Sequence, residues 1–322
     1  MADPETTAFV RDGEPVPPAL RGAVVAIGNF DGVHRGHRAL IDTAREHATR
    51  LGRPAAVLTF EPHPRSFFAP DKPLFRLTPE PVKLAILRRL GLDVVFVRRF
   101  DAALAATPAR AFVEDLLVGA YGAAGVVVGP DFHFGRGREG TPELLCRWAP
   151  ALGLACAVLP PVLDGAEPVS SSAVRRALSA GDLRTANGLL DYRWFVEGEV
   201  THGDKRGRTL GFSTANLRLP PGTDLRHGIY AVRAAFGGEV RDGVASYGRR
   251  PTFDDGPPLL EVHLFDFAGD LYGRTLQVEF LDFIRPEERF ESVDALVARM
   301  GEDARRARTI LAGPDAAPSL IG

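Results

Sequence analysis

The amino-acid sequence predicts a doubly wound α/β domain followed by an antiparallel β-barrel domain that ends in a helix. The chain has 322 residues, which is long for one average domain and favours two. Up to about residue 190, apolar runs alternate with segments of helical periodicity, the pattern of a doubly wound parallel sheet. Beyond that point, short strand-like runs are separated by Gly, Pro and Asp, which suggests an antiparallel barrel or sandwich.

The first 21 residues are acidic and Pro-rich and contain no apolar stretch typical of a signal peptide, so we expect a flexible N-terminal arm. The strands predicted after it are GAVVAIGNF, PAAVLTF, LDVVFVRRF, AAGVVVG and LACAVLPPV, whose continuous apolar character is typical of buried parallel strands. The predicted helices are HRGHRALIDTAREHATRLG, TPEPVKLAILRRLG, TPARAFVEDLLVGAYG, TPELLCRWAPALG and SSSAVRRALSAGDLRTANGLL. Gly52 should end the first of them, and Thr107 should cap the third with Pro108 as its first helical residue.

The first domain should cover residues 22–190, and the second domain should cover residues 191–322. The predicted strands of the second domain are RWFVEGEVTHGD, HGIYAVRAAFGG, EVRDGVASYG, LLEVHLFDF and RTLQVEFLDFIRP. The last segment, SVDALVARMGEDARRARTILAG, should form an amphipathic helix that covers the barrel with its charged face in solvent.

Composition excludes several classes of protein. The net charge of −2 argues against broad nucleic-acid binding, which needs an electropositive face. No apolar run reaches the roughly 18–20 residues of a membrane span. Cys146 and Cys156 form neither a disulfide framework nor a metal-ligand spacing, so we expect two core thiols in a reducing cytoplasm. The sequence does not predict an oligomeric state.

The segment GNFDGVHRGH, residues 28–37, lies between the first buried strand and the first helix. Ligands of open α/β sheets bind at the carboxyl ends of strands, and free N–H groups at a helix N-terminus suit phosphate. Gly32 and Gly36 would let the backbone approach an anion, and His34 and His37 share one face of the first helical turn. The competing interpretation is that one histidine caps the helix and the other is exposed. The residues whose joint occurrence favours the phosphate site are Asn29, Asp31, His34, Gly36 and His37.

The same segment resembles the signature of the HxGH nucleotidyltransferases, which have a Rossmann-like domain and transfer a nucleoside monophosphate from a triphosphate. The segments TFEPHP, GPDFHFGRGREG and VSSSAVRRALSAGDL resemble the flavin-specific branch, whereas GEVTHGDKRGRTLGFSTANL and LEVHLFDFAGDLYGR resemble riboflavin kinase. Together, over about residues 22–311, the motifs resemble the bacterial bifunctional riboflavin kinases/FMN adenylyltransferases, or FAD synthetases. The resemblance implies a cytoplasmic enzyme with ATP as co-substrate and Mg²⁺ as cofactor. It implies riboflavin, FMN and FAD as substrates or products, and neither nucleic acid nor membrane as a partner.

In the first domain, the resemblance implies that the FMN phosphate attacks the α-phosphorus of ATP. His34 and His37 would bind the ATP phosphates, with Asn29 and Asp31 fixing the turn. A second anion site would comprise Ser171, Ser172 and Arg175, although a serine at a helix start also serves as a plain N-cap. Phe60, Phe132 and Phe134 would stack on the flavin, with His63 and Arg65 at its phosphate. Each of these aromatic residues is individually more often a core residue than a ligand contact.

In the second domain, the ribityl 5′-hydroxyl of riboflavin would attack the γ-phosphorus of ATP. Gly203, Gly207 and Gly211 would form a turn whose N–H groups cradle phosphate. Thr214 and Asn216 would hold Mg²⁺ and the ATP phosphates, and Glu261 would be the general base. Strand alternation places Glu261 and His263 on one face, although Glu261 could instead be a surface residue on an edge strand.

Two departures from the kinase pattern leave alternatives open. Ser213 stands where the family usually has Pro, and Ser246 and Tyr247 stand where it usually has Asn and Ile. One alternative is therefore an FAD synthetase whose kinase domain is weakened or specific for a modified flavin. Another is a flavin or nucleotide sensor without turnover, which the joint presence of the candidate reactive residues in both domains disfavours.

Overall fold

The structure is a computed structural model that describes residues 7–202, 213–249, 258–314 and 317–322. The chain divides into two compact units, Met1–Ser170 and Ser171–Gly322. Among the described residues, no helix is both long and apolar enough to span a membrane.

The first unit contains a six-stranded sheet in which every pairing is parallel. Its strands are β1 (Ala8–Arg11), β2 (Val24–Ile27), β3 (Ala55–Glu61), β4 (Val94–Arg99), β5 (Gly125–Val128) and β6 (Ala155–Val158). They lie in the order β1-β4-β3-β2-β5-β6, so the strand order reverses between β2 and β5. The predicted doubly wound sheet is confirmed, and its topological switch point lies at the carboxyl end of β2.

Helices connect these strands. They are α1 (Arg35–Leu51), α2 (Pro64–Phe68), α3 (Glu80–Arg88), α4 (Ala102–Ala106), α5 (Ala109–Ala111), which continues as a π-helix over Phe112–Ala120, and α6 (Pro142–Trp148). The short strands β7 (Leu163–Asp164) and β8 (Glu167–Pro168) form a hairpin. Gly52 ends α1 in the left-handed conformation, as predicted. The predicted start of the third helix is wrong by one residue, because Thr107 ends α4 and Pro108 caps α5.

Two expectations for the first unit are corrected. The predicted flexible arm is ordered over β1, which pairs with β4 because its apolar side chains complete the open sheet edge; Val10 is buried and Thr7 Oγ1 donates to Leu92 O. The two cysteines form a disulfide rather than separate core thiols. The sequence gap of 10 residues carries the chain from α6 into the adjacent β6 and brings the two Cα atoms to 5.3 Å.

In the second unit, the described residues form a six-stranded antiparallel sheet and three helices. Its elements are α7 (Ser171–Ala180), α8 (Leu183–Leu190), β9 (Phe195–Glu199), β10 (Ala215–Arg218), β11 (Gly228–Phe236), β12 (Glu239–Gly248), β13 (Leu259–Leu264), β14 (Thr275–Arg285) and α9 (Val293–Leu311). The strand order is β10-β13-β12-β11-β14-β9. Just beyond β9, Thr201 N donates to Asn216 O at 2.9 Å and joins the two edges. The sheet is therefore nearly closed, as the barrel prediction requires.

Helices cover this sheet at two places. Ala307 and Leu311 of α9 pack against Ala231 and Ile284, which confirms the predicted amphipathic cover. Asn187 of α8 donates to Phe280 O at 3.1 Å and accepts from Trp194 N at 2.8 Å. α7 and α8 thus share a compact unit with these strands, and the domain boundary at residue 190 stays a prediction.

Candidate active sites

The turn between β2 and α1 places two histidines at the sheet's switch point. Its backbone reaches positive φ at Phe30 (52°), Gly32 (86°) and Val33 (41°). His34 then caps α1, and its Nδ1 accepts a hydrogen bond from His37 N at 3.3 Å. The side chain of His34 therefore occupies the helix N-terminus, where free N–H groups favour an anion.

The imidazole rings of His34 and His37 are stacked, with centroids 3.7 Å apart and planes 17° from parallel. Burial lowers the pKa of His37 well below its usual value of 6.5, and the charges of His34 and Lys83 act in the same direction. The buried Nδ1 of His37 has no hydrogen-bond partner among the described residues. His37 is therefore a neutral imidazole with a buried ring nitrogen, rather than the exposed histidine of the competing interpretation.

Asp31 and Gly36 shape this turn. Asp31 is fully buried and accepts from Thr78 N at 3.1 Å, while Gly32 N donates to Thr78 Oγ1 at 2.8 Å. A Cβ at Gly36 would lie 3.2 Å from the His34 ring and 3.4 Å from Val169 O. Because Gly36 has no side chain, there is space beside it for the imidazole of His34. Asp31 holds the turn against the segment before α3 through its hydrogen bond with Thr78.

A buried charge cluster, which the sequence did not reveal, joins the same turn. It consists of Asp31, Glu61, Arg76 and Lys83. Arg76 donates to both carboxylate oxygens of Glu61, at 3.1 and 2.7 Å, and Lys83 Nζ lies 2.5 Å from Glu61 Oε1. Although burial opposes it, these cations lower the pKa of Glu61. One signal was present: Lys83 shares an otherwise apolar face of α3 with Ile86 and Leu87.

The predicted flavin-side residues occupy different environments. Phe60 and Phe134 are buried in the hydrophobic core, whereas Phe132 is partly buried and stacks on Phe134 at 5.3 Å. His63 is buried and caps α2 by accepting from Arg65 N at 3.1 Å, and the Arg65 side chain is exposed. The packing of Phe60 and Phe134 matches the core interpretation, and flavin contact by these five residues stays a prediction.

An aromatic cluster lies next to that region and was missed. Phe67, Phe68 and Phe100 have ring centroids 5.2 to 5.6 Å apart in edge-on contacts. Phe68 is 68% exposed, which is unusual for a large aromatic side chain and typical of a contact surface. Phe67 and Phe68 follow the TFEPHP motif after only two intervening residues, which was the available sequence signal.

Ser171, Ser172 and Arg175 lie in the first two turns of α7, within the second unit. Ser172 is exposed, and Ser171 and Arg175 are half-buried. Their action together with His34 and His37 stays a prediction.

In the second unit, three predicted positions meet across neighbouring strands. Glu261 of β13 lies directly opposite Asn216 of β10 and Ser246 of β12. Directly opposite residues share a face, so the three side chains form one polar row. The predicted alternation is confirmed: Glu261 and His263 lie on a half-buried face, and Leu260 and Val262 are buried on the other.

The donor atoms of this row suit a hard cation. Asn216 is buried, and its Oδ1 has no hydrogen-bond partner among the described residues. Thr214 is half-buried just before β10, and the preceding Ser213 carbonyl lies 2.9 Å from His263 Nδ1. An amide and a hydroxyl oxygen are ligands that Mg²⁺ accepts, so these residues fit the ion.

The departures from the kinase pattern fall on both faces of β12. Ser246 is on the Glu261 face, whereas Tyr247 is buried and its hydroxyl donates to Thr223 O at 3.4 Å. The bulky aromatic side chain therefore does not point at Glu261. Gly203, Gly207 and Gly211, predicted to cradle phosphate, lie outside the described residues.

Comparison with known proteins decides the family. A family model described as FAD synthetase matches residues 16–173, and one described as riboflavin kinase matches residues 190–311. The bifunctional riboflavin kinase/FMN adenylyltransferase of Escherichia coli K12 is 43% identical over 288 residues, covering 89% of this chain and 92% of that protein. The Pseudomonas fluorescens relative is 42% identical over 307 residues, covering 93% and 96%.

The chain belongs to the bifunctional riboflavin kinase/FMN adenylyltransferase family. It is thus an enzyme that phosphorylates riboflavin to FMN and adenylylates FMN to FAD, with flavins and ATP as substrates. A crystal structure described as a macrolide-efflux protein from Streptococcus pneumoniae is also similar, with 31% identity and a TM-score of 0.83. That similarity covers 93% of this chain and 98% of that one.

Proposed function

We propose that FMN adenylylation takes place at the His34–His37 turn and riboflavin phosphorylation at the Asn216–Glu261–Ser246 row. The observation that carries the first assignment is the buried Nδ1 of His37 at a helix N-terminus, for which the described residues offer no hydrogen-bond partner. The second rests on the carboxylate of Glu261 lying opposite Asn216, whose amide oxygen likewise has no partner within the described part of the chain.

For adenylyl transfer, an oxygen of the FMN phosphate forms a bond to the α-phosphorus of ATP. The bond from that phosphorus to the oxygen bridging to the β-phosphate breaks, and pyrophosphate leaves. His34 and His37 donate hydrogen bonds to phosphate oxygens whose negative charge increases in the transition state. The chain supplies no nucleophile, so positioning and charge stabilisation account for catalysis. Asn29 and Asp31 hold the turn, and Gly36 provides space beside the ring of His34.

The flavin of the adenylylation reaction contacts an aromatic surface in this proposal. Of the three aromatic residues predicted to stack on the flavin, Phe132 is the one that is only partly buried. The exposed ring of Phe68, supported edge-on by Phe67 and Phe100, offers a further flat apolar contact for the isoalloxazine. Arg65 is exposed and suited to the FMN phosphate. Ser171, Ser172 and Arg175 form the second anion site.

For phosphoryl transfer, Glu261 accepts the proton of the ribityl 5′-hydroxyl as its oxygen bonds to the γ-phosphorus of ATP, and ADP leaves. Thr214 and Asn216 hold Mg²⁺, which when bound neutralises charge on the ATP phosphates. His263 keeps Thr214 in place through the neighbouring Ser213 carbonyl. Gly203, Gly207 and Gly211 contribute N–H groups to the phosphates.

We also propose a cytoplasmic enzyme without nucleic-acid partners, because its substrates are small molecules and its net charge is −2. The Cys146–Cys156 bond is unusual for that compartment. Cell fractionation with detection of the protein in each fraction tests the placement: recovery with cytoplasmic markers supports it, and recovery with another compartment contradicts it.

The metal assignment is tested with Asn216→Ala and Asn216→Asp. Alanine removes the oxygen ligand, so riboflavin phosphorylation should need at least about tenfold more Mg²⁺, whereas aspartate keeps an oxygen at that position. FMN formation is followed by chromatography during Mg²⁺ titration, with FMN adenylylation of the same samples as control. If Asn216→Ala shows the parental Mg²⁺ dependence, Asn216 is not a ligand.

A further inference from the structure

The buried charge cluster has no chemical role in the mechanism above, although it contacts the histidine turn. Lys83 is fully buried. Its ammonium group lies 2.5 Å from Glu61 Oε1, donates to Thr59 Oγ1 at 2.8 Å and reaches Asn29 O at 3.3 Å. A buried ammonium is unfavourable unless paired and hydrogen-bonded. The cluster meets that condition with two cations and two carboxylates.

The cluster holds the turn on both sides of Phe30. On one side, Asn29 O accepts from Lys83 Nζ and from Thr59 Oγ1, the latter at 3.1 Å. On the other side, Asp31 Oδ1 accepts from Thr78 N and lies 3.6 Å from Arg76 Nε. Arg76 and Lys83 meet at the same oxygen of Glu61, so both anchors belong to one connected network.

The residue between the anchors is in a strained conformation that affects the histidines. Phe30 has φ of +52°, a region that non-glycine residues adopt only when their surroundings impose it. Its ring contacts the ring of His37 at 5.0 Å, and His37 stacks on His34. A relaxed Phe30 would therefore displace the imidazoles from their stacked arrangement.

We propose that Lys83 is a positioning residue for adenylyl transfer, acting through Thr59 and the Asn29 carbonyl to fix the turn that carries His34 and His37. The proposal rests on the roles given above to these histidines. Lys83 touches no reacting atom. Its contribution is to turnover rather than to substrate affinity, because misplacement of catalytic groups by about 1 Å costs roughly 10²-fold in rate.

If Lys83 only stabilised the fold, replacing it by an apolar side chain would leave kcat for FMN adenylylation unchanged. Buried ion pairs can often be replaced by apolar side chains of similar volume without loss of stability. Lys83→Met keeps the length of the side chain and leaves Glu61 paired with Arg76. The substitution also removes the charge on α3 that lowers the pKa of His37, and it leaves the effect of His34, the N-cap of α1, in place.

The experiment compares Lys83→Met with Lys72→Met, the same change at an exposed lysine. We expect Lys83→Met to lower kcat for FMN adenylylation by about 10- to 100-fold, with KM for ATP and FMN within about threefold of the parent. The pKa of His37, followed by NMR, should rise. Riboflavin phosphorylation should be unchanged, and Lys72→Met should match the parent in every readout.

Thr59→Val is the second variant, because it removes the hydroxyl that links Lys83 to Asn29 while preserving shape. It should lower kcat in the same direction by a smaller factor. A folded Lys83→Met with kcat within twofold of the parent would overturn the proposal, as would a loss confined to KM. If Lys83→Met does not fold, Thr59→Val decides: a lowered kcat at unchanged KM supports positioning, and parental kinetics reject it.

Discussion

At the scale of single residues, His37 shows how burial sets a chemical role. Its Nδ1 is buried and has no hydrogen-bond partner in the part of the chain that the structure describes, its ring is stacked on His34, and Lys83 adds positive charge nearby. All three features disfavour the imidazolium form. A neutral imidazole keeps one ring N–H, which can donate a single hydrogen bond to a phosphate oxygen.

The pKa of His37 provides a prediction at this scale. Because burial lowers it below the value of about 6.5 in the unfolded chain, the unfolded state binds the proton first on acidification. The free energy of unfolding of the first unit should therefore fall as pH drops below 6.5, and His37→Ala should reduce that fall. NMR titration of the histidine ring signals, with the urea-unfolded chain as reference, measures the pKa directly. A folded-state value at or above 6.5 contradicts the account.

At the scale of elements, β13 organises the kinase row. Its alternation presents Glu261 and His263 on one face, and the second of these fixes Ser213 just before β10. The usual proline at position 213 would preset φ, whereas serine is held by a tertiary contact through its carbonyl. The contact between the Ser213 carbonyl and His263 therefore restrains the segment that carries Thr214.

Ser213→Pro should accordingly have a small effect. Proline retains the carbonyl that His263 contacts, and the change mainly restricts the unfolded or open chain, worth about 0.4–1 kcal/mol at a compatible site. The apparent affinity for Mg-ATP should change roughly two- to five-fold. The measurement is riboflavin phosphorylation at saturating and limiting ATP. Absence of FMN from the natural sequence, with recovery in the proline variant, would show instead that Ser213 disables the kinase domain.

The elements and residues that were predicted correctly are those that depend on the local pattern of apolar and polar residues. Continuous apolar runs gave the parallel strands, and alternation gave the shared face of Glu261 and His263. The strand at Ala8–Arg11 was missed because it lies in an acidic, Pro-rich stretch and forms by pairing with β4, which is a tertiary contact. Lys83 and Glu61 were missed as a pair because their contact depends on how α3 packs near β3. The disulfide was missed for a similar reason, because it depends on the packing of α6 beside β6.

At the scale of the whole molecule, the two compact units match the two activities of the family. The FAD synthetase model ends at residue 173 and the riboflavin kinase model begins at residue 190. Between these limits lie most of α7 and nearly all of α8, and both helices belong to the second compact unit. Burial of Leu183 and Leu190, together with both hydrogen bonds of Asn187, makes α8 an integral part of that unit.

Two fragments test this division. Residues 171–322 should fold alone and phosphorylate riboflavin without making FAD. Residues 191–322 should have a lower thermal transition, because loss of α8 exposes apolar surface and leaves the Trp194 N–H and the Phe280 carbonyl without their partner. Circular dichroism and FMN formation measure both properties. Equal stability of the two fragments would place the boundary at residue 190.

The central claim is that two separate sites perform the two reactions. It is tested by incubating the parent, His37→Ala and Glu261→Gln with riboflavin, ATP and Mg²⁺ and separating the flavins by chromatography. His47→Ala on the same helix and Glu199→Gln on β9 are the controls.

The parent should yield FMN and FAD. His37→Ala should accumulate FMN, with adenylylation lowered by about 10²-fold or more. Glu261→Gln should lose phosphorylation by roughly 10²–10⁴-fold and still convert supplied FMN to FAD. If either substitution abolishes both reactions in a folded protein, or leaves both unchanged, the assignment of the sites is contradicted.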